Sequence, residues 1–208
     1  MKYLPVSIDT EGKNILVVGA GSVALRKVQV LLKTDFKIYV FAQEISEAFY
    51  ALAQAFPHRL LLKTGQVDEN FVFYGYDYLL IATSDDKAND YLETYAKDRK
   101  IPYIRSDKKS RSPLIMNKVI QQGSLCLGVS TGGHNPTISR LVGEDLTDYL
   151  KKYSPEKLDI LDQIREALVR KGRKDVSEII SQLWRDETIN LNNYLEEIDE
   201  DKTRHPGQ

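Results

Sequence analysis

Cysteine is nearly absent: Cys126 stands alone among 208 residues, which excludes an intrachain disulfide. Within the apolar run Leu125-Cys126-Leu127 that thiol reads as a buried structural residue. Histidine is scarce too, with three in the chain, and no Cys/His cluster has zinc-site spacing, so no resident metal is expected. No apolar run approaches membrane-spanning length, and Met1-Lys2-Tyr3-Leu4-Pro5 lacks the apolar core of a signal peptide. A cytoplasmic location is the expectation from both absences. Excess charge of either sign is also missing. With 29 basic and 30 acidic residues the net charge is −1, which argues against a general nucleic-acid or membrane-surface binder. Internal repeats and low-complexity segments are absent. What is there, 42% hydrophobic and 28% charged, suits one or two globular domains with a real core.

The first half alternates strand and helix patterns. Asn14-Ile15-Leu16-Val17-Val18 is a short continuous apolar run, the mark of a strand buried on both faces. Gly19-Ala20-Gly21 interrupts it, and Ala24, Val28, Leu31 and Leu32 then recur at helical spacing. Further strands are predicted at Lys37–Phe41, Leu60–Leu62, Tyr78–Ala82 and Pro102–Ile104, with helices over Ser46–Phe56 and Lys87–Arg99. Such alternation implies a parallel sheet with helices on both faces. After Asp107 the pattern changes. Leu114–Ile120 and Leu125–Val129, separated by Gln121-Gln122-Gly123-Ser124, predict a hairpin, and Pro136 suits the first turn of a helix. From Pro155 the pattern is helical, with an apolar stripe of Val176, Ile179, Ile180, Leu183 and Trp184 that reads as a core or dimer-packing face.

The expected fold class is therefore α/β: a Rossmann-type parallel sheet over residues 1–111, a small α+β dimerisation segment over 112–150, and a C-terminal helical region over 151–208 with a charged tail. The stripe and the hairpin form more apolar surface than a small monomer leaves exposed, so a homodimer built beyond residue 112 is expected.

Four segments carry potential chemistry. Gly19-x-Gly21-x-x-Ala24 follows a buried strand and opens a helix, the context in which a glycine motif indicates a dinucleotide site. Gly19 permits the turn, Gly21 lets backbone approach a pyrophosphate, and Ala24 lets helix and sheet pack closely. The helix N-terminus offers free N–H groups to phosphates. Phe41-Ala42-Gln43 carries no acidic residue for the ribose hydroxyls, so Gln43 or Glu44 is the substitute, and no arginine stands there for a 2′-phosphate. NAD is thus favoured over NADP. Ala82-Thr83-Ser84-Asp85-Asp86 lies where strand ends line a cofactor crevice, with Ala82 and Thr83 small enough for close approach; Asp85 or Asp86 equally suits a helix cap. Arg105-Ser106-Asp107-Lys108-Lys109-Ser110-Arg111 holds four cations and one carboxylate, a solvated face or a grip for a polycarboxylate or phosphate substrate. Asp107 among them should have a lowered pKa. Thr131-Gly132-Gly133-His134-Asn135-Pro136 is a second glycine turn before a helix, with His134 either a proton-transfer group or simply exposed.

Together these residues resemble the siroheme-synthase N-terminal family, which comprises precorrin-2 dehydrogenases, some of them also sirohydrochlorin ferrochelatases. The likeness runs from Leu4-Pro5-Val6 to about Leu150. It rests on Val18-Gly19-Ala20-Gly21-Ser22-Val23-Ala24-Leu25-Arg26-Lys27, on Ala82-Thr83-Ser84-Asp85-Asp86 with Asn89, and on Thr131-Gly132-Gly133-His134-Asn135-Pro136 followed by Ser139-Arg140-Leu141. By that resemblance Asp107 is the catalytic aspartate, while Ser22, Val23, Gln43 and Glu44 fall on NAD contacts. The implied substrate, precorrin-2, is a tetrapyrrole rich in carboxylates, which suits Arg105, Lys108, Lys109 and Arg111 as its grip, with Thr131, Gly132 and His134 beside them. A homodimer is implied as well.

The departures are Ile104 where the family often has asparagine, Pro113-Leu114-Ile115-Met116-Asn117 in place of an aromatic stretch, and Asn135 in place of serine. The leading expectation is NAD-dependent oxidation of precorrin-2 to sirohydrochlorin in siroheme (porphyrin-type tetrapyrrole) biosynthesis. The alternatives are a bifunctional or mainly ferrochelatase protein, and a non-catalytic tetrapyrrole- or NAD-binding relative. The length leaves no room for a methyltransferase domain, so methylation is expected from another protein.

Overall fold

Runs of β-branched and leucine side chains that are apolar on both faces, rather than alternating, build the central sheet. The computed structural model describes residues 1–108 and 112–200. Strands β1 (Asn14–Val18), β2 (Lys37–Ala42), β3 (Leu60–Thr64), β4 (Tyr78–Ile81) and β5 (Tyr103–Arg105) lie in the order β3-β2-β1-β4-β5. All four pairings are parallel. The central strand β1 is buried from Ile15 to Val18. Its side chains alternate between two cores: Ile15 and Val17 join Val28 and Phe49, whereas Leu16 and Val18 join Leu92 and Tyr95. Helices α1 (Ser22–Leu31) and α2 (Glu47–Ala55) thus cover one face and α3 (Asp86–Asp98) the other. The chain order reverses between β1 and β4, the place where such a sheet opens a crevice at its carboxyl edge.

This sheet belongs to a compact unit of residues 1–117 with 130–136. Within it, residues 112–114 are tied to β5: the Ser112 hydroxyl accepts from the Arg105 N–H at 2.9 Å and lies 2.6 Å from the Leu114 carbonyl. That attachment explains why the hairpin begins at Lys118 and not at Leu114.

The second unit comprises residues 118–129 and 137–208, of which the described residues end at 200. The hairpin pairs β6 (Lys118–Gln122) with β7 (Leu125–Val129), and Gly123 takes the left-handed conformation at the turn (φ +53°). Helices α4 (Pro136–Leu150), α5 (Pro155–Arg170), α6 (Val176–Arg185) and α7 (Leu191–Glu200) follow. Leu161, Ile164, Leu168 and Leu183 form the core of α5–α7. The apolar stripe of α6 is spent there: Val176, Ile179 and Ile180 pack against this core. Trp184 of that stripe stays partly exposed, and α4 presents a further exposed apolar group at Ile138, Leu141 and Val142. Cys126 corrects the expectation of a buried thiol, because it is exposed on β7. In a two-stranded ribbon an apolar run does not imply cover on both faces. Among the described residues no helix is long and apolar enough to cross a membrane.

Candidate active site

The turn after β1 is shaped by two glycines with different duties. Gly19 has φ +110°, and a Cβ there would lie 2.6 Å from the Ala82 carbonyl carbon and nearer still to its oxygen. Its N–H donates to the Phe41 carbonyl at 2.9 Å, so Gly19 locks the turn between β2 and β4. Gly21, the N-cap of α1, has extended backbone (φ −79°, ψ −178°), and a Cβ there would meet nothing within 4 Å. It faces open space. The first turn of α1 carries no acidic residue and no side-chain cap, so its N–H groups and the positive end of the helix dipole point outward uncompensated.

That open space is a cavity of about 570 Å³ at the carboxyl edge of the sheet. The structure brings all the sequence-predicted cofactor residues onto its walls: Gly19, Gly21, Ser22 and Val23 after β1, Gln43 and Glu44 after β2, and Ala82 and Thr83 after β4. Gly65, Gln66 and Val67 after β3 also line it. Sequence reading missed these; the glycine following an apolar strand was the available signal. Asp85 caps α3, accepting from the Lys87 and Ala88 N–H groups at 2.9 and 3.1 Å.

At the end of β5, Arg105 organises a cluster of acids. Its side chain has no exposed surface, and its guanidinium grips Asp107 with two parallel bonds, Nε–Oδ1 at 2.8 Å and Nη2–Oδ2 at 2.9 Å. Nη1 meets Asp90 at 2.6 Å and also Glu93, both on α3. The expectation that Arg105 faces a substrate is therefore corrected: the side chain has no exposed surface, and four of its five N–H donors go to Asp90, Glu93 and Asp107. Its carboxylate partners hold the Arg105 pKa above its usual value against the cost of burial. Asp107 receives in addition the Lys108 N–H at 2.8 Å and Asn89 Nδ2 at 3.2 Å. The Arg105 grip holds the Asp107 carboxyl well below the usual carboxylate range, with the backbone donor acting in the same sense. Its side chain stays one quarter exposed.

Lys108 reaches Asp86 and Asp90 at 3.6 and 3.7 Å. The two described cations of the run, Arg105 and Lys108, are thus answered by Asp107 and by acids of α3, and Lys109 and Arg111 lie outside the described residues. The Thr131–Pro136 turn closes on itself, with Thr131 Oγ1 accepting from the Asn135 N–H at 2.9 Å. Gly132 and Gly133 take positive φ there, and His134 is exposed.

A family described as putative NAD(P)-binding matches residues 6–117. The chain belongs to the siroheme-synthase N-terminal family, a putative NAD(P)-binding one. It is 31% identical over 152 residues to the siroheme synthase of Buchnera aphidicola, covering 70% of this chain and 30% of that one. Siroheme synthase 1 of Serratia proteamaculans is 33% identical over 150 residues, again 70% of this chain and 30% of the relative. The chain thus spans about 30% of the length of these curated relatives. Among solved structures, SirC, a precorrin-2 dehydrogenase, superposes with a TM-score of 0.73 at 21% identity, covering 95% of this chain and 100% of that one; the likeness is one of fold. In this siroheme-synthase family member the glycine turn, the β4 end and Asp107 all fall in the unit that carries the matched segment.

Proposed function

We propose that the protein is an NAD-dependent precorrin-2 dehydrogenase that forms sirohydrochlorin in siroheme biosynthesis. One observation carries the cofactor half of this reading: Gly21 faces a cavity of about 570 Å³ with nothing within 4 Å of its missing side chain, beside the uncapped N-terminus of α1. A pyrophosphate needs that combination of close backbone approach, free N–H donors and a positive dipole end. The residues present therefore fit a dinucleotide. Gln43 and Glu44 would meet the adenosine ribose, and Ala82 and Thr83 the ribose of the nicotinamide. Glu44 without a neighbouring arginine at the β2 end favours NAD over NADP.

The nicotinamide, when bound, supplies a hydride acceptor. The chain supplies charge and position. Hydride loss leaves the macrocycle cationic and its N–H protons strongly acidic, so even a weak base suffices. Asp107, held ionised by Arg105, offers a fixed negative charge to the developing cation and a carboxylate oxygen to the departing proton. Lys108, with Lys109 and Arg111, and the turn Thr131, Gly132 and His134 are proposed to meet substrate carboxylates. A homodimer is proposed as well, supported by Ile138, Leu141 and Val142 exposed along α4.

The test is an anaerobic assay with precorrin-2, run separately with NAD+, NADP+ and metal ions. Sirohydrochlorin formed faster with NAD+ than with NADP+ is the expected result. Metal insertion into supplied sirohydrochlorin without oxidation, or saturable binding without turnover, refutes it.

A further inference from the structure

Asn89 is 1% exposed, yet it sits on the core face of α3 with Leu92 and Ala96, where an apolar side chain would pack at no polar cost. Its amide is fully used. Nδ2 donates to the Thr83 carbonyl at 3.1 Å and to Asp107 Oδ2 at 3.2 Å, and Oδ1 accepts from the Thr83 hydroxyl at 2.6 Å. Helix capping does not account for it, because Asp85 already satisfies the first N–H groups of α3. What Asn89 does is join two loops: the one after β4, where Thr83 lines the cofactor cavity, and the one after β5, which carries Asp107. These strands are neighbours, paired Ile81 to Arg105, with the Ser106 N–H on the Ile81 carbonyl at 3.0 Å as the last rung before the loops.

We propose that Asn89 is a positioning residue that couples occupancy of the cofactor cavity to the placement of Asp107. Its catalytic meaning rests on the dehydrogenase reading above; the coupling itself does not. A dinucleotide settling against Thr83 moves or stiffens the Thr83 backbone and hydroxyl together, and the amide passes that change to the Asp107 carboxylate without any direct contact. Arg105 fixes Asp107 from the other side, through Asp90 and Glu93. The carboxylate is thereby held between a rigid buried cation and a cofactor-responsive amide.

The experiment follows the Asp107 carboxyl carbon by NMR in full-length protein labelled at aspartate, with Asp107→Asn assigning the resonance. In the unsubstituted protein NAD+ should shift this resonance in step with binding. In Asn89→Leu, which keeps the branch at Cγ without its polar atoms, NAD+ affinity measured by calorimetry should stay within about threefold while the Asp107 response disappears. The kcat for precorrin-2 should fall about tenfold or more with the KM for NAD+ little changed, as expected when alignment alone is lost. Asn89→Asp is nearly isosteric and keeps an oxygen for the Thr83 hydroxyl but cannot donate to Asp107. It should lose the response too and titrate Asp107 at higher pH, and it serves if the leucine variant does not fold.

An unaltered Asp107 response in either variant, or an unsubstituted protein that binds NAD+ without moving Asp107, overturns the proposal. Loss of NAD+ affinity together with thermal stability in both variants overturns it equally, leaving Asn89 as scaffold. A protein that shows the response but does not oxidise precorrin-2 refutes the dehydrogenase reading alone. Failure to bind NAD+ at all removes both.

Discussion

Gly19→Ala and Gly21→Val alter the same glycine motif and should fail in opposite ways. At position 19 the new methyl would sit 2.6 Å from the Ala82 carbonyl carbon and 2.9 Å from the Thr83 nitrogen, backbone atoms that cannot rotate aside. The β1–β4 pairing would have to part, although Ala82 N–H is bonded to the Val18 carbonyl at 2.8 Å. Overpacking of that kind costs about 1–3 kcal/mol. Holding a non-glycine residue at φ +110° adds roughly 1–2 kcal/mol. The sum, about 2–5 kcal/mol, corresponds to a melting temperature lower by roughly 5–20 °C for a chain of this size. At position 21 the extended backbone accepts valine, and the side chain enters the cavity; the poorer N-cap costs no more than about 1 kcal/mol. Thermal unfolding by circular dichroism and NAD+ calorimetry on both variants decide the matter. Gly21→Val should melt within a few degrees of the parent and bind NAD+ at least about 100-fold more weakly, since the pyrophosphate loses its backbone donors. A Gly19→Ala protein with parental stability, or a Gly21→Val protein with parental affinity, would show that the turn was misread.

Asp107→Asn keeps shape but removes the fixed charge; turnover of precorrin-2 should fall on the order of 10²-fold with NAD+ affinity unchanged, and near-parental turnover would reduce Asp107 to a spacer. The same variant should flatten part of the acid side of the stability profile. Because the folded pKa of Asp107 lies below its unfolded value, its contribution is complete above the usual carboxylate pKa and is lost as pH falls from about 4 toward the folded value, so denaturation curves of parent and variant should converge at low pH. Arg105→Met leaves the buried Glu93 without its guanidinium and should cost about 3–5 kcal/mol, whereas Lys108→Ala, which loses only exposed pairs, should cost less than about 1 kcal/mol; equal losses in chemical denaturation would contradict the burial argument. Replacing Leu141 on α4 by glutamate should convert a dimer to a monomer in sedimentation at micromolar concentration, while a monomeric parent protein would dispose of the dimer itself.

Short-range pattern carried the sheet and the glycine turn, because a strand buried on both faces is apolar at every position and needs no partner to be recognised. The cavity walls followed, since parallel strands leave their carboxyl ends on one edge. Arg105 was another matter. In the sequence it heads a run of exposed-looking charge, and only α3, bringing Asp90 and Glu93 from more than ten residues upstream, turns it into a buried hub. A signal for that hub did exist: Asn89 and Glu93 are polar residues four apart on a helix face otherwise filled by Ala88, Leu92 and Ala96. Polar groups at core positions announce a partner without naming it. Cys126 erred in the opposite sense, being exposed where its apolar run suggested burial, whereas the α6 stripe, read as a core or dimer-packing face, packs as core at Val176, Ile179, Ile180 and Leu183. For the α6 stripe, apolar spacing told that a face would be covered, and only the assembled fold told by what.

The order of the chain through its two units has a consequence for synthesis and for any attempt to dissect the protein. The polypeptide leaves the sheet-bearing unit at Asn117, builds the hairpin, and returns for Ser130–Pro136 before leaving again. A ribosome has therefore released the hairpin before the last piece of the nucleotide-type unit emerges, and that unit cannot complete its folding from its own leading segment alone. A fragment cut at residue 117, where the family match also stops, would keep every strand of the sheet but forfeit the second glycine turn. Transplanting the dinucleotide cavity onto another protein would need either the hairpin carried along as cargo or a short linker in its place from Asn117 to Ser130.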